Sequence, residues 1–176
     1  MEISRLKDNT VRLAVQRLSF EVGQTSPDKS DVFLATKPLS ERSADHLRWF
    51  DGPGEYEVEG VMVDGIMTGE AVSYHITHDG MMLAAVTLSA ASDLTDDILE
   101  KLQPAHILLL WLASGNDKDT AQLISRFDAT IIIPVQMECS IEALETAMQL
   151  KTEELERIKI NSKDLVDAGQ RLINLR

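Results

Sequence analysis

The spacing of the apolar residues changes once along this chain, near residue 88, and that change limits the folds that the sequence can adopt. Before it, apolar and polar residues alternate, for example over 11–15 and 72–76, as they do in strands with one buried face. After it, apolar residues recur every three or four positions, for example over 94–102, as they do on one face of a helix. The sequence therefore predicts antiparallel strands first and strand–helix units second.

Turn residues divide the first half into hairpins. Gly52, Pro53 and Gly54 precede a clean alternation that ends at Gly60, and a second turn is predicted at 78–80. An apolar run over 31–35, without alternation, predicts an early strand that is buried on both faces. The hairpins are expected to pair in one antiparallel sheet, with strands near 56–58, 61–66, 72–76 and 81–86.

The second half alternates helices with buried strands. A helix over 94–102 is ended by Pro104, and helices capped by Asn116 and Ser140 each follow an apolar run, at 106–112 and 130–134. Strands joined by helices pair in parallel through right-handed crossovers. The chain is therefore expected to form one α/β domain over 1–176, in which stacked sheets are covered by helices. In the tail, 155–160 is a helix end or a short strand.

Composition excludes several classes of partner. Asp and Glu number 29 against 17 Lys and Arg, a net charge of -12, and no basic patch interrupts the acidic surface, so nucleic-acid binding is not expected. The N-terminus carries charges where a signal peptide has an apolar core, and no apolar run approaches the length of a membrane helix. The single Cys139 excludes an intrachain disulfide. A cytoplasmic protein without a membrane segment is expected.

The four histidines give little indication of a metal site by spacing alone. His75 and His78 are three apart, and on a strand this odd spacing sends them to opposite faces. His106 opens an apolar strand and is expected at its edge. Asp45, His46 and Asp51 form the remaining group of carboxylates and an imidazole. They are close together in a loop, which does not by itself hold ligands in the fixed geometry that a metal needs.

The run FDGPGEYEVEGVMVDGI at 50–66, with the strands before it and DLTDDILEKLQPAHILLLWL at 93–112 after it, resembles the metallo-β-lactamase superfamily. Within that superfamily it is similar to the small bacterial branch of lactonase-like metal-dependent hydrolases. The resemblance covers most of the chain and implies an αββα sandwich, with two mixed sheets and the helices outside. It also implies zinc ligands at four places.

In the family those ligands are a His-x-His-x-Asp-His loop after an early buried strand, a His after the middle hairpins, an Asp or His near a Gly-Asp turn, and a His after a late strand. By resemblance, the four places fall here in the loop 36–46, at 67–68, at 86–89 and at 135–136. The loop has no His-x-His, and the other places hold no good zinc ligand. His46 is interpreted as a remnant.

Two functions follow from this mismatch. The preferred one is a metal-free, non-catalytic protein of this fold, a pseudoenzyme without a cofactor that acts by binding or assembly. The alternative is a hydrolase whose site has moved to Asp45, His46, Asp51 and Glu55 and which uses zinc or manganese.

Large side chains next to the loop suggest where assembly would occur. Trp49, Phe50 and Tyr56 either fill the vacated metal cleft or contact another molecule. The second interpretation predicts a homodimer or a protein partner that binds through these residues.

Overall fold

The computed structural model describes residues 1–24, 30–38, 48–165 and 169–176. Two β-sheets stack face to face, and their strands are numbered here in chain order. The first sheet contains β1 (Glu2–Arg5), β2 (Val11–Val15), β3 (Leu18–Gly23), β4 (Val32–Ala35), β5 (Arg48–Phe50) and β13 (Arg157–Lys159). Its strands lie in the order β13-β1-β2-β3-β4-β5, antiparallel from β13 to β3 and parallel from β3 to β5.

The second sheet contains β6 (Gly54–Val58), β7 (Val61–Thr68), β8 (Ala71–His78), β9 (Met81–Ala90), β10 (Ile107–Ser114), β11 (Ile131–Gln136), β12 (Thr152–Leu155) and β14 (Arg171–Leu175). The order is β12-β14-β11-β10-β9-β8-β7-β6. Strands β6 to β9 are antiparallel neighbours, whereas the strands from β9 to β12 in this order are parallel neighbours. Both sheets are therefore mixed.

Three α-helices pack on the outer face of the second sheet: α1 (Asp96–Leu102), α2 (Asp117–Ser125) and α3 (Ile141–Met148). The predicted caps are confirmed, since Asn116 Oδ1 accepts from the Asp119 amide at 3.0 Å and Ser140 Oγ from the Ala143 amide at 3.2 Å. None of the described helices is long and apolar enough to span a membrane.

Two apolar cores follow from the alternation of side chains along the strands. Leu13 and Phe20 of the first sheet and Leu109 and Ile133 of the second belong to the core between the sheets. Their neighbours on the second sheet, such as Leu110, face the helices in the other core. Removing this apolar surface from water is the dominant stabilising contribution to the fold.

The αββα class of fold is confirmed, but the expectation that the hairpins form an antiparallel sheet of their own is wrong. The predicted hairpins of β6 to β9 belong to the same sheet as the strand–helix units. The reason is β9, which is buried over most of its length and pairs antiparallel with β8 on one side and parallel with β10 on the other. Strand β13 then returns to the first sheet. Among the described residues, all three α-helices cover the second sheet.

Candidate functional site

Several strands of both sheets end at one edge of the sandwich. β4 ends there at Ala35, β7 and β8 turn there, and β9, β10 and β11 run toward it in parallel. A main-chain hydrogen bond of 2.9 Å from the Val72 amide to the Thr36 carbonyl joins the two sheets. We call this region the hydroxyl edge and define it by the buried residues Thr36, Thr68, Ser73 and Thr87.

Side-chain hydroxyls replace main-chain pairing where β8 and β9 separate. Thr68 Oγ1 donates to the Thr87 carbonyl at 2.7 Å and lies 3.0 Å from Ser73 Oγ. Ser73 Oγ in turn accepts from the Thr87 amide at 2.9 Å. These three groups satisfy one another away from water, so Thr68 and Ser73 are structural members of the edge.

Two other hydroxyls of the edge have no such partner. Thr36 Oγ1 and Thr87 Oγ1 are both buried, and neither has a hydrogen-bond partner in the described part of the chain. Thr87 is in register with Trp111, which belongs to the core between the sheets, so its side chain faces that core. Buried hydroxyls are normally paired, so these two are exceptions to the rule.

The apolar neighbours of these hydroxyls are Met67 and Trp111. Met67 is 40% exposed and is in register with Val72, which belongs to the core between the sheets. Trp111 is buried, and its Nε1 donates to the Asn9 carbonyl at 2.7 Å, which fixes the turn between β1 and β2 against the edge. The edge thus combines two unpaired hydroxyls with an exposed thioether.

Described residues from each of the four places that the resemblance assigned to zinc ligands lie at this edge. Thr36, Met67, Thr68, Thr87 and Gln136 all lie at the strand ends of this edge. These five residues do not fit zinc, because hydroxyls, a thioether and an amide stand where zinc needs imidazoles and carboxylates. Residues 39–46 of the first place lie outside the described residues. Over the described ranges, no group of three or more His, Cys, Asp or Glu side chains is placed to hold a metal ion.

Of the four residues of the alternative site predicted from the sequence, the structure describes Asp51 and Glu55. Asp45 and His46 lie outside the described residues. Asp51 is half-buried between β5 and β6. Glu55 is exposed and in register with Asp64, on the outer face of the second sheet, so its carboxylate points away from the core between the sheets.

The aromatic residues beside the loop separate into two pairs. Trp49 makes an edge-to-face contact with Phe33, with ring centroids 5.1 Å apart and an angle of 73° between the planes. Phe50 and Tyr56 stack at 4.1 Å and pack against the core between the sheets. Tyr56 also donates to the Gly52 carbonyl at 3.1 Å. Phe50 and Tyr56 therefore close the core, and Trp49 is half-buried on the other face of the first sheet.

Tyr74 connects the sheets below the hydroxyl edge, a role that the sequence analysis did not assign to it. Its hydroxyl lies 2.7 Å from the Ala35 carbonyl oxygen and 2.8 Å from the Phe50 carbonyl oxygen, and donates its proton to one of them at a time. Burial raises the pKa of the Tyr74 phenol, and the nearby Tyr56 and Asp51 raise it further. One indication was present in the sequence, since a tyrosine on the buried face of a strand needs a partner for its hydroxyl.

The described histidines do not converge. His75 Nε2 lies 2.9 Å from the Pro104 carbonyl oxygen on the helix side, and His106 Nδ1 accepts from the Met82 amide at 3.1 Å. His78 faces the turn between β2 and β3, where its Nε2 lies 3.3 Å from Gln16 Nε2. The prediction that His75 and His78 lie on opposite faces of a strand is confirmed.

The architecture is that of the metallo-β-lactamase fold. Over its whole length the chain matches all of a protein from Thermotoga maritima, described as a Zn-dependent hydrolase of the metallo-β-lactamase superfamily, with a TM-score of 0.72 and 15% identity.

Two further solved structures support the same fold. A protein from Parabacteroides distasonis, described as a metal-dependent hydrolase, matches 99% of this chain and 93% of its own at a TM-score of 0.65 and 13% identity. The metallo-β-lactamase fold protein YhfI from Bacillus subtilis matches 95% and 88% at a TM-score of 0.58 and 8% identity. No protein-family model and no curated protein matches the sequence.

Proposed function

We propose that this chain is a metal-free, non-catalytic protein with the metallo-β-lactamase fold, which acts by binding or by assembly. One observation carries the proposal: among the described residues at the places where the resemblance implies zinc ligands, none is a His, Cys, Asp or Glu. Thr36 and Thr87 stand there with unpaired hydroxyls in the described structure, and Met67 is exposed beside them. Hydroxyl, thioether and amide groups of this kind are poor ligands for the metal ion that activates water in a zinc hydrolase.

The test is metal content and metal-dependent stability. Protein purified without chelators is expected to contain far less than stoichiometric zinc or manganese. Added Zn²⁺ or Mn²⁺ should leave the melting temperature unchanged, because only a ligand that binds the folded state raises it. Stoichiometric metal, or a saturable rise in melting temperature, would refute the proposal.

The alternative function is a metal-dependent hydrolase with a relocated site. It requires Asp45, His46, Asp51 and Glu55 to act together, and the orientation of Glu55 toward the outer face of the second sheet weighs against this grouping. If metal binds, His46→Ala and Asp51→Asn should each remove it, whereas Glu55→Gln should not, because Glu55 points elsewhere. Loss of metal in all three variants would support the site of four residues.

If the protein acts by assembly, we propose that Trp49 lies in the interface. Phe50 and Tyr56 pack against the core between the sheets, whereas Trp49 lies half-buried on the other face of the first sheet, so Trp49 is the residue of the predicted interface to test. Sedimentation velocity is expected to show a dimer that Trp49→Ala disperses while the circular dichroism spectrum is retained. Met62→Ala is the matched control, since Met62 is 44% exposed on a different face. A monomer at high micromolar concentration would remove assembly through Trp49 from the proposal.

A further inference from the structure

Strand β6 is an outer strand of the second sheet, and in the described part of the chain its strand neighbour is β7. Gly54, Glu55 and Glu57 of this strand are exposed. A two-residue turn joins β6 to β7 at Glu59 and Gly60, with positive φ angles of 50° and 84°. An outer strand carries main-chain groups that can pair with a strand of another molecule.

The turn decides which main-chain groups of β6 point outward. In a hairpin with a two-residue turn, the residues that flank the turn form a hydrogen-bonded pair, here Val58 and Val61. Such pairs alternate with non-hydrogen-bonded pairs along an antiparallel ladder, so Tyr56 also bonds to β7 whereas Glu55 and Glu57 do not. The amides and carbonyls of Glu55 and Glu57 therefore point away from β7, where an added strand can bind them.

The side chains of β6 form two different surfaces. Tyr56 is half-buried, packs against the core between the sheets and stacks on Phe50 at 4.1 Å. Glu55 and Glu57 point to the opposite face of the sheet, because side chains alternate along a strand. An added strand would place every second side chain beside the stacked rings and the side chains between them beside the carboxylates.

The carboxylates of β6 lack cationic partners. None of the ion pairs in the described part of the chain includes Glu55 or Glu57. Between Arg48 and Lys101 the sequence contains no Lys or Arg, so strands β6 to β9 supply no cation of their own. The charge on this strand is therefore available to a cationic partner.

Strand β12, at the opposite edge of the same sheet, shows the contrast. It also carries two acidic residues, but Glu153 pairs with Arg171 and Glu154 with Arg176, each at 2.7 Å. The two outer strands of the second sheet thus differ in whether their carboxylates are already neutralised.

We propose that β6 binds an extended segment of a partner protein in which Lys or Arg alternates with apolar residues. The segment adds a strand to the second sheet, with cations beside Glu55 and Glu57 and an apolar side chain against Tyr56. A second copy of β6 does not fit, because like charges would lie opposite each other and the protein already has a net charge of -12. The site is separate from the hydroxyl edge and does not depend on the metal-free function proposed above.

Short peptides with acetylated and amidated ends are suitable probes. In an NMR titration of the whole protein, the peptide GKVKVKG is expected to shift the amide resonances of Glu55 and Glu57 saturably. It should bind about tenfold or more tightly than the charge-reversed peptide GEVEVEG, and about threefold more tightly than GKVVKKG, which has the same composition without the alternation. The amides of Glu153 and Glu154 are internal controls and should not shift.

Variants test the role of charge. The double variant Glu55→Gln with Glu57→Gln should weaken binding of GKVKVKG about fivefold, since each exposed ion pair contributes little by itself. The matched control is Glu142→Gln with Glu156→Gln, which removes the same charge from exposed residues of α3 and of the connection between β12 and β13. It should leave the affinity within about twofold of the wild type. The circular dichroism melt of each variant checks its folding.

N-methylated peptides test main-chain pairing. One form of GKVKVKG carries the methyl groups on its lysine amides and the other on its valine amides. A paired strand turns only alternate amides toward β6, so one form should lose binding and the other should keep most of it.

Three results would overturn the proposal. The first is equal affinity of the two methylated peptides, and the second is equal affinity of GKVKVKG and GEVEVEG. The third is a dimer in sedimentation velocity that Glu55→Gln with Glu57→Gln strengthens while no peptide binds, which would assign the edge of β6 to a second copy.

Discussion

Replacing Tyr74 by phenylalanine tests whether this side chain joins the two sheets. The change removes one hydroxyl from a fully buried position and leaves two carbonyl oxygens, those of Ala35 and Phe50, without their shared donor. Losing a hydrogen bond and leaving a buried acceptor unpaired costs about 2 kcal/mol. For a domain of this size the melting temperature should fall by roughly 4 to 8 °C.

Thermal and urea unfolding followed by circular dichroism would measure this change, with Tyr56→Phe as the matched control. The Tyr56 hydroxyl is half-buried and donates over 3.1 Å to the Gly52 carbonyl, so its loss should cost under about 1 kcal/mol. Equal losses in the two variants would refute the bridging role of Tyr74.

The contribution of Tyr74 to stability also depends on pH. Because burial raises the pKa of Tyr74 in the folded state, the unfolded chain loses this proton first as the pH rises above about 10. The stability contributed by Tyr74 is therefore complete below pH 10 and falls in more alkaline solution. Tyr74→Phe should lack this part of the alkaline loss, and an identical alkaline profile would contradict the assignment.

Three further predictions concern the hydroxyl edge, an ion pair and a helix cap. Thr87→Val should raise the free energy of unfolding by about 1 kcal/mol, because it removes an unpaired buried hydroxyl. Thr68→Val should lower the free energy of unfolding by a similar amount, since that hydroxyl is paired, and urea unfolding would distinguish the two signs. The hydrogen bonds from Arg171 lower the pKa of Glu153 in the folded protein. Their contribution to stability is therefore present above about pH 4.3 and is lost as the pH falls. Glu153→Gln should remove this part of the acid-induced loss of stability, measured by circular dichroism. Asn116→Ala should cost about 1 kcal/mol in thermal unfolding by removing the α2 cap, and Asn116→Asp should retain most of the stability.

Periodicity predicted the elements better than their arrangement. The strands near 11–15 and 72–76 and the three helices follow from apolar spacing and caps, because both are local properties of the chain. The pairing of β9 is not local, since it depends on which partner covers each of its edges. The ambiguous segment 155–160 contains two short strands, β12 ending at Leu155 and β13 starting at Arg157, which pair in different sheets.

For the candidate site, the location could be predicted from the sequence but the hydrogen bonds could not. The resemblance located the edge, because strand ends keep their order along the chain. It could not supply the network of Thr68, Ser73 and Thr87, since hydroxyl residues in an alternating strand look the same whether they face solvent or each other.

The separation of β12 and β13 between the sheets has a consequence for how the chain folds. Strand β1 obtains its outer partner only when residues 157–159 are available, and the main chains of Met1 and Ile160 hydrogen bond to each other at 2.9 Å. During synthesis on a ribosome, β1 therefore lacks this partner until residues 157–159 have been made and have left the ribosome. Such distant pairing slows folding and leaves an open strand edge exposed to other chains in the meantime. A nascent chain stalled before Thr152 would lack strands of both sheets and should be prone to aggregation.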